Sequence, residues 1–327
     1  MSVEKNMRAK YRIVGLGEIL WDVYPEAKYL GGAPANFAIH AQQLGNQGIV
    51  VSRIGNDRLG QEILQELNRR GLETKYLQID DEKKTGTVEV KLGEQGVPSF
   101  RCSEDVAFDY LRFTEDLSQL AQEADAILFG SLAQRNPVSR QAIQTFLARA
   151  TRAFKLYDVN IRGWNAEVQK VVEQSLELAD AFKLNEEELQ TLRQAFGIKH
   201  THREEFIRNL MESYQLKLVA LTMGEKGCFL LDRDNIAYSP GIKITPIDTT
   251  GSGDAFAAAL VTKYLEGSSL KEMAEFSNQL GAYVATQKGA APFYELESVK
   301  AFLLLSGCFE PGHFLEFKES SSVLLLG

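Results

Sequence analysis

Short runs rich in β-branched and aromatic residues alternate along this chain with longer amphipathic segments. That alternation constrains the fold more than any other feature of the sequence. Tyr11–Gly17 reads as a buried strand, Ala33–Leu44 as a helix, Gly48–Arg53 as a strand, and Arg58–Arg70 as a helix closed by Gly71. Ala126–Phe129 and Phe154–Tyr157 read as strands beside helical segments, and Lys217–Leu221 as another. Gly227–Leu231 with Ile236–Tyr238 reads as a hairpin, and Ser252–Leu265 and Leu270–Thr286 as the last long helices. Parallel strands need crossover connections, usually helical, so this order predicts an α/β fold with a mainly parallel sheet and helices on both faces. Two stretches break the rhythm. Segments near 19–30 and 85–102 are punctuated by turns and carry no helical period between them. They predict a small β lid inserted into a single domain spanning 1–327, although edge strands of the main sheet would produce the same pattern.

At 327 residues, with 44% hydrophobic and 24% charged residues, the composition is that of a globular protein and excludes disordered and collagen-like chains. No apolar run approaches the ~18 residues of a membrane span. The first ten residues lack an apolar signal core, so a cytoplasmic location is expected. A net charge of −8 does not favour nucleic acid or membrane surfaces. An anionic ligand would have to be held by local donors. Cys102, Cys228 and Cys308 lie far apart and read as idle thiols in a reducing compartment. His200 and His202 form an HxH in a polar stretch, which reads as a solvated turn rather than a metal site.

Familiar nucleotide signatures are missing. Gly15-Leu-Gly17 follows a strand, but a dinucleotide fingerprint would need a third glycine where Leu20 stands. No GxxxxGK[ST] segment occurs. The strongest chemical signal is Asp248-Thr-Thr-Gly-Ser-Gly-Asp254, followed by an alanine-rich helix former. Gly251, Ser252 and Gly253 at such a helix start would aim free N–H groups at one point, with the positive end of the helix dipole behind them. This is a phosphate site in outline. Asp254 would stand at its edge, although an acidic residue in a first turn also serves simply to complement the dipole. The second signal is Gly31-Gly32-Ala-Pro-Ala-Asn36, a turn into a helix in which Asn36 offers both donor and acceptor. With Asp22 upstream it could grip neighbouring hydroxyls of a polyol.

Together these two segments resemble the signatures of the ribokinase-like (pfkB) family of carbohydrate kinases. Asp158-Val-Asn-Ile-Arg162, Asn185-Glu-Glu-Glu188 and Thr222-Met-Gly-Glu-Lys-Gly227 match further family segments in order, over about residues 11–303. Gly17-Glu-Ile-Leu-Trp-Asp22, Gly31–Asn36 and Phe129–Arg135 look most like its fructokinase branch. The resemblance implies an ATP-dependent kinase making fructose 6-phosphate. A 2-keto-3-deoxygluconate or ribose kinase is the alternative, and a non-catalytic sugar- or nucleotide-binding regulator a remote one. It implies Asp254 as the base, with Gly251, Ser252 and Gly253 as the anion hole. Sugar contacts would come from Asp22, Gly31, Gly32, Asn36, Phe100 and Arg162. ATP would lie against Asn185, Thr222, Gly224, Gly227, Gly253 and Asn278. Glu188 would hold Mg²⁺ through water. K⁺ would sit at Asp248, Thr250 and the 284–289 turn as an activator. Lid pairing into a homodimer is a further expectation of the resemblance.

Overall fold

A computed structural model describes residues 10–92, 98–161, 163–197 and 202–305. The main sheet has nine strands: β1 (Arg12–Leu16), β4 (Gln47–Gly55), β5 (Leu77–Asp80), β8 (Ala126–Gly130), β9 (Phe154–Asp158), β10 (Ala181–Asn185), β11 (Leu218–Thr222), β12 (Gly227–Asp232) and β13 (Ile236–Pro240). Their order is β13-β12-β11-β10-β9-β8-β1-β4-β5. Every neighbouring pair is parallel except β11–β12 and β12–β13, the expected hairpin side.

Alternation along β1 assigns the two faces. Val14 and Leu16 pack with helices α3 (Glu115–Glu123), α4 (Pro137–Arg149), α5 (Ala166–Leu178), α6 (Glu186–Ala195) and α7 (Arg203–Tyr214). Ile13 packs on the other side with α1 (Ala33–Gln43), α8 (Ser252–Leu265) and α9 (Leu270–Ala285). Side chains three and four apart on these helices bury one apolar stripe each, as their spacing requires. The α8 alanines 255, 257, 258 and 259 are fully buried, and such small residues let helices approach closely. Helix α2 (Arg58–Arg69) follows β4, and Ile63 and Leu67 anchor it on Ile54. A last helix, α10 (Leu296–Leu305), lies beyond the two helices expected to close the chain. Its apolar run follows Pro292 and Phe293 too closely for the break to be obvious in sequence.

The rhythm-breaking segments form their own sheet and are not edge strands of the main one. β2 (Leu20–Val23), β3 (Lys28–Gly31), β6 (Gly86–Leu92) and β7 (Pro98–Cys102) pair in the order β3-β2-β6-β7. β2 runs parallel to β6, while β2–β3 and β6–β7 are antiparallel. Arg135, just after β8, ties this sheet down: it donates to Ser103 O (2.7 Å) and holds Asp109 through two 2.7 Å bonds. On the other flank, Asp57 accepts from both the backbone N–H (2.8 Å) and the hydroxyl (2.7 Å) of Thr85.

In the main sheet β1 is flanked by β4 on one side and β8 on the other, and the chain builds outward in both directions. Such a switch point leaves a crevice beyond the carboxyl ends of the strands, where α/β folds place their ligands. Glu18 follows β1, while Asp158, Asn185 and Thr222 end β9, β10 and β11. All four residues reach one cavity.

Candidate active site

That cavity has a volume of about 1130 Å³. The carboxyl ends of the strands and the head of α8 form its floor. The second sheet contributes Leu20, Asp22, Val88 and Cys102 to one wall, and the β11–β12 turn and Asn278 lie toward the other end.

The head of α8 has the geometry its sequence predicts. Gly251 caps the helix at φ 80°, a left-handed conformation that glycine adopts without penalty. Its Cα lies so close to the Ala290 carbonyl that a Cβ would collide with it. No side chain caps the helix: Ser252 N donates to Thr249 O at 3.3 Å, and the first-turn N–H groups of Gly253 and Asp254 have no such backbone partner and remain for a ligand. Ser252 Oγ is buried with no hydrogen-bond partner and belongs to the same cavity wall. An acceptor-rich group such as phosphate would satisfy these donors.

Asp254 and Asn36, distant in sequence, meet here. Asn36 Nδ2 donates to Asp254 Oδ2 at 2.8 Å. Asn36 is 3% exposed, and its Oδ1 is buried without a partner, which leaves an acceptor for a ligand hydroxyl. Burial raises the Asp254 carboxyl to about 7. The charges of Asp158 and Glu18 add to the rise, and the Asn36 bond and Lys183 oppose it. Asp22 lines the cavity above them. Gly31 does not reach the cavity wall. Its role is steric, because a Cβ there would strike the Asp22 carboxylate. Gly32 does line the cavity, and at φ 101° it turns the chain into α1.

Toward the other end, Asn185 accepts from Glu188 N at 2.9 Å and Glu188 Oε2 accepts from Asn185 N at 2.8 Å, a reciprocal cap on α6. Glu188 Oε1 accepts from Ile161 N at 3.2 Å. Burial, then the nearby Asp158 charge, lifts the Glu188 carboxyl above its ordinary range. Thr222, Gly224 and Gly227 border the cavity as expected, with Gly224 beginning a short 3₁₀ turn. Asn278 also borders it, but its amide nitrogen is committed to Ser239 Oγ (3.1 Å) and Pro240 O (2.7 Å), so only its oxygen remains for a ligand.

Asp248 lies behind the glycine turn, not on the cavity wall. It accepts from Thr250 N (3.0 Å) and Gly289 N (3.1 Å), which fastens the 286–290 turn to the head of α8. Phe100 falls within β7, but its side chain is outside the described atoms, and Arg162 is outside the described residues.

Three cavity groups were not singled out by motif. Glu18 is 2% exposed, and Asp158 and Lys183 form a 2.7 Å ion pair that is 5% and 8% exposed at the side chains. A lysine in the middle of the buried strand Ala-Phe-Lys-Leu-Asn was the available signal, because charges are rarely buried without a task.

Comparison with known proteins decides the family. The pfkB family carbohydrate kinase profile matches residues 23–296. The chain belongs to the pfkB family of carbohydrate kinases. This kinase is 33% identical to an uncharacterized sugar kinase of Pyrococcus horikoshii over 280 residues, covering 83% of this chain and 85% of the other. That protein's structure in complex with ATP superposes with a TM-score of 0.75 over 88% of this chain and 96% of the other. A fructokinase of Vibrio alginolyticus is 30% identical, covering 84% of this kinase and 92% of its own length. The fructose-, ADP- and calcium-bound fructokinase of Vibrio cholerae is 27% identical, with a TM-score of 0.75 over 89% of this kinase and 98% of the other. The kinase therefore has the ribokinase-like fold. Among its described residues no helix is long and apolar enough to cross a membrane.

Proposed function

We propose that this carbohydrate kinase is a fructokinase that transfers the γ-phosphoryl group of ATP to the 6-hydroxyl of D-fructose. The observation that carries the reading is the Asn36–Asp254 hydrogen bond at the open head of α8. It sets a sugar-gripping amide, a carboxylate base and a phosphate cradle within one cavity. Likeness to fructokinases supports the choice of sugar. In this reading Asp22, Gly32 and Asn36 orient the sugar, and Phe100 and Arg162 complete its site. The second sheet acts as a lid over it.

Asp254 takes the hydroxyl proton as the sugar oxygen bonds to the γ-phosphorus. The bond from that phosphorus to the β–γ bridging oxygen breaks, and ADP leaves with the electron pair. Gly251, Ser252 and Gly253 hold the charge that grows on the moving phosphoryl group, the dominant need of this chemistry. ATP lies along Asn185, Thr222, Gly224 and Gly227, with the Asn278 oxygen toward its base.

Glu188 fits a divalent ion held through water. Each of its oxygens accepts one backbone N–H, which leaves lone pairs on the cavity side for metal-bound water. Mg²⁺ there would neutralise the triphosphate. A monovalent cation at Asp248, Thr250 and the 284–289 turn has a narrower fit. Ala285 O already accepts from Ile247 N and Asp248 N, so K⁺ would share an acceptor the protein already uses. We therefore assign K⁺ the role of tightening a turn that is already cross-linked.

Coupled ADP-release assays across fructose, ribose, mannose, glucose and 2-keto-3-deoxygluconate test the substrate. Fructose should give the highest kcat/KM. A higher value for ribose or for 2-keto-3-deoxygluconate would overturn the fructose reading while leaving the kinase reading intact.

A further inference from the structure

We propose that Lys183 is a catalytic residue, whose ammonium is held beside the anion hole by Asp158 and neutralises the phosphoryl group during transfer. The inference rests on the kinase reading above, because it needs a phosphoryl group at the head of α8.

Position is the first argument. Lys183 lies on β10 directly opposite Asp158 on β9, so the parallel register sets the pair at the carboxyl edge of the sheet. A Cβ placed on Gly253 would lie 3.2 Å from Lys183 Nζ, the nearest atom to it apart from its chain neighbours and its own helix backbone. The ammonium therefore stands next to the anion-hole glycine, on the cavity side.

Charge is the second. Glu18, Asp158, Glu188 and Asp254 crowd the same floor, and a polyanionic nucleotide must enter above them. Lys183 interacts electrostatically with Asp158, Glu188 and Asp254. Burial alone would lower its pKa, but these carboxylates outweigh it and keep the amine charged. A purely structural ion pair would gain little here. Two charges lose their hydration on burial, and replacing such a pair with neutral groups is often harmless to stability.

Chemistry is the third. An ammonium on a flexible four-carbon stem is a movable point charge. Its partner is Asp158, at 2.7 Å. When the phosphoryl group arrives, Nζ can share its three protons between Asp158 and the phosphoryl oxygens while remaining beside Gly253. The same charge opposes the rise in the Asp254 carboxyl and so keeps more of the base ionised near neutrality.

The test separates catalysis from support. Lys183→Met should lower kcat by about 10²-fold or more, the scale of losing one transition-state donor, with ATP KM changed by less than about threefold. The acidic limb of its rate profile should move to higher pH, because Asp254 loses the neighbouring cation while still facing Glu18 and Asp158. Lys183→Arg should recover part of the rate. The deciding variant is Asp158→Asn combined with Lys183→Met, which removes both charges and so leaves no unpaired buried ion. It should restore the melting temperature but not kcat. Recovery of kcat to within about threefold of wild type in this double variant would show that the pair only supports the fold, and would overturn the proposal. This double variant carries the test alone if Lys183→Met does not fold. Wild-type protein and Asp254→Asn run in the same assay separate the two readings. A wild type without sugar-dependent ADP release would sink the kinase reading and this proposal together, whereas an active wild type with a fully active double variant would sink only the latter.

Discussion

Asp254→Asn should lose activity and gain stability, and the two effects come from one structural cause. Among the described residues, Asp254 is the carboxylate that accepts from the Asn36 amide, and it lines the cavity. Asparagine keeps the shape but cannot accept a proton, so kcat should fall by about 10²–10⁴. The substitution also removes a charge that the fold holds at a cost. The carboxyl is raised from 3.8 to about 7. A group raised in the folded state contributes stability below its unfolded pKa and loses that contribution as pH rises through the folded one. At pH 8 the wild type therefore carries the full penalty, and the variant carries none. A shift of this size corresponds to about 4 kcal/mol, reduced to about 2 because cavity water screens the charge. For a chain of this length that is a rise of about 3 °C in Tm. Thermal unfolding at pH 8, 6 and 4 measures it, and the gap between variant and wild type should narrow on acidification and close near pH 4. A Tm difference that stays constant with pH, or a kcat above a third of wild type, would refute the reasoning.

His40 is fully buried on α1, with Nε2 3.1 Å from Ala290 O and Nδ1 3.0 Å from the Tyr294 hydroxyl. Burial lowers it to about 4, so the wild type should lose stability as pH falls from 6.5 toward 4, and His40→Gln should lose less over that window in urea titrations. His40→Leu leaves the Ala290 carbonyl and the Tyr294 hydroxyl unpaired and should cost about 2–4 kcal/mol at pH 7.5, measured in the same way. K⁺ should raise kcat above its value in Na⁺ at constant ionic strength, with the difference blunted in Asp248→Ala; equal rates in the two salts would remove the cation. Edge strands β3 and β7 of the second sheet leave backbone groups that another copy can cover, so light scattering at micromolar concentration should give a dimer mass.

What the sequence made legible depended on whether the cause was local. The bounds of α8 could be read directly, because Gly251 and the alanine run act within one turn. The separate second sheet was also legible, because its segments lack a helical period. The β2–β6 parallel pairing was not, since it joins strands more than sixty residues apart. Asn185–Glu188 illustrates a different limit. Its two end residues, Asn185 and Glu188, form a helix cap and border the cavity at once, and spacing alone cannot separate the two roles. Lys183 was missed because β10 is only five residues long and the motif beside it drew the argument to Asn185. Its partner Asp158 opens the family-like segment 158–162, and nothing in that segment points to a lysine on the next strand. Only the register of β9 against β10 brings the two charges together.

The Asn36–Asp254 bond joins residues 218 positions apart, and the His40 bonds to Ala290 and Tyr294 join residues 250 and 254 apart. The cavity floor is thus a closure between α1 and the segment from α8 to Tyr294, and nearly everything between them must be in register before it exists. Contacts of such high order form late, because the entropy of closing the intervening chain is lost before they contribute. During refolding, helical signal should return before sugar-dependent turnover. A nascent chain that has emerged only through α7 carries Asn36 but not Asp254, the base in the proposed mechanism. Catalytic competence therefore requires the chain through α8, and no fragment that ends before Asp254 should show it.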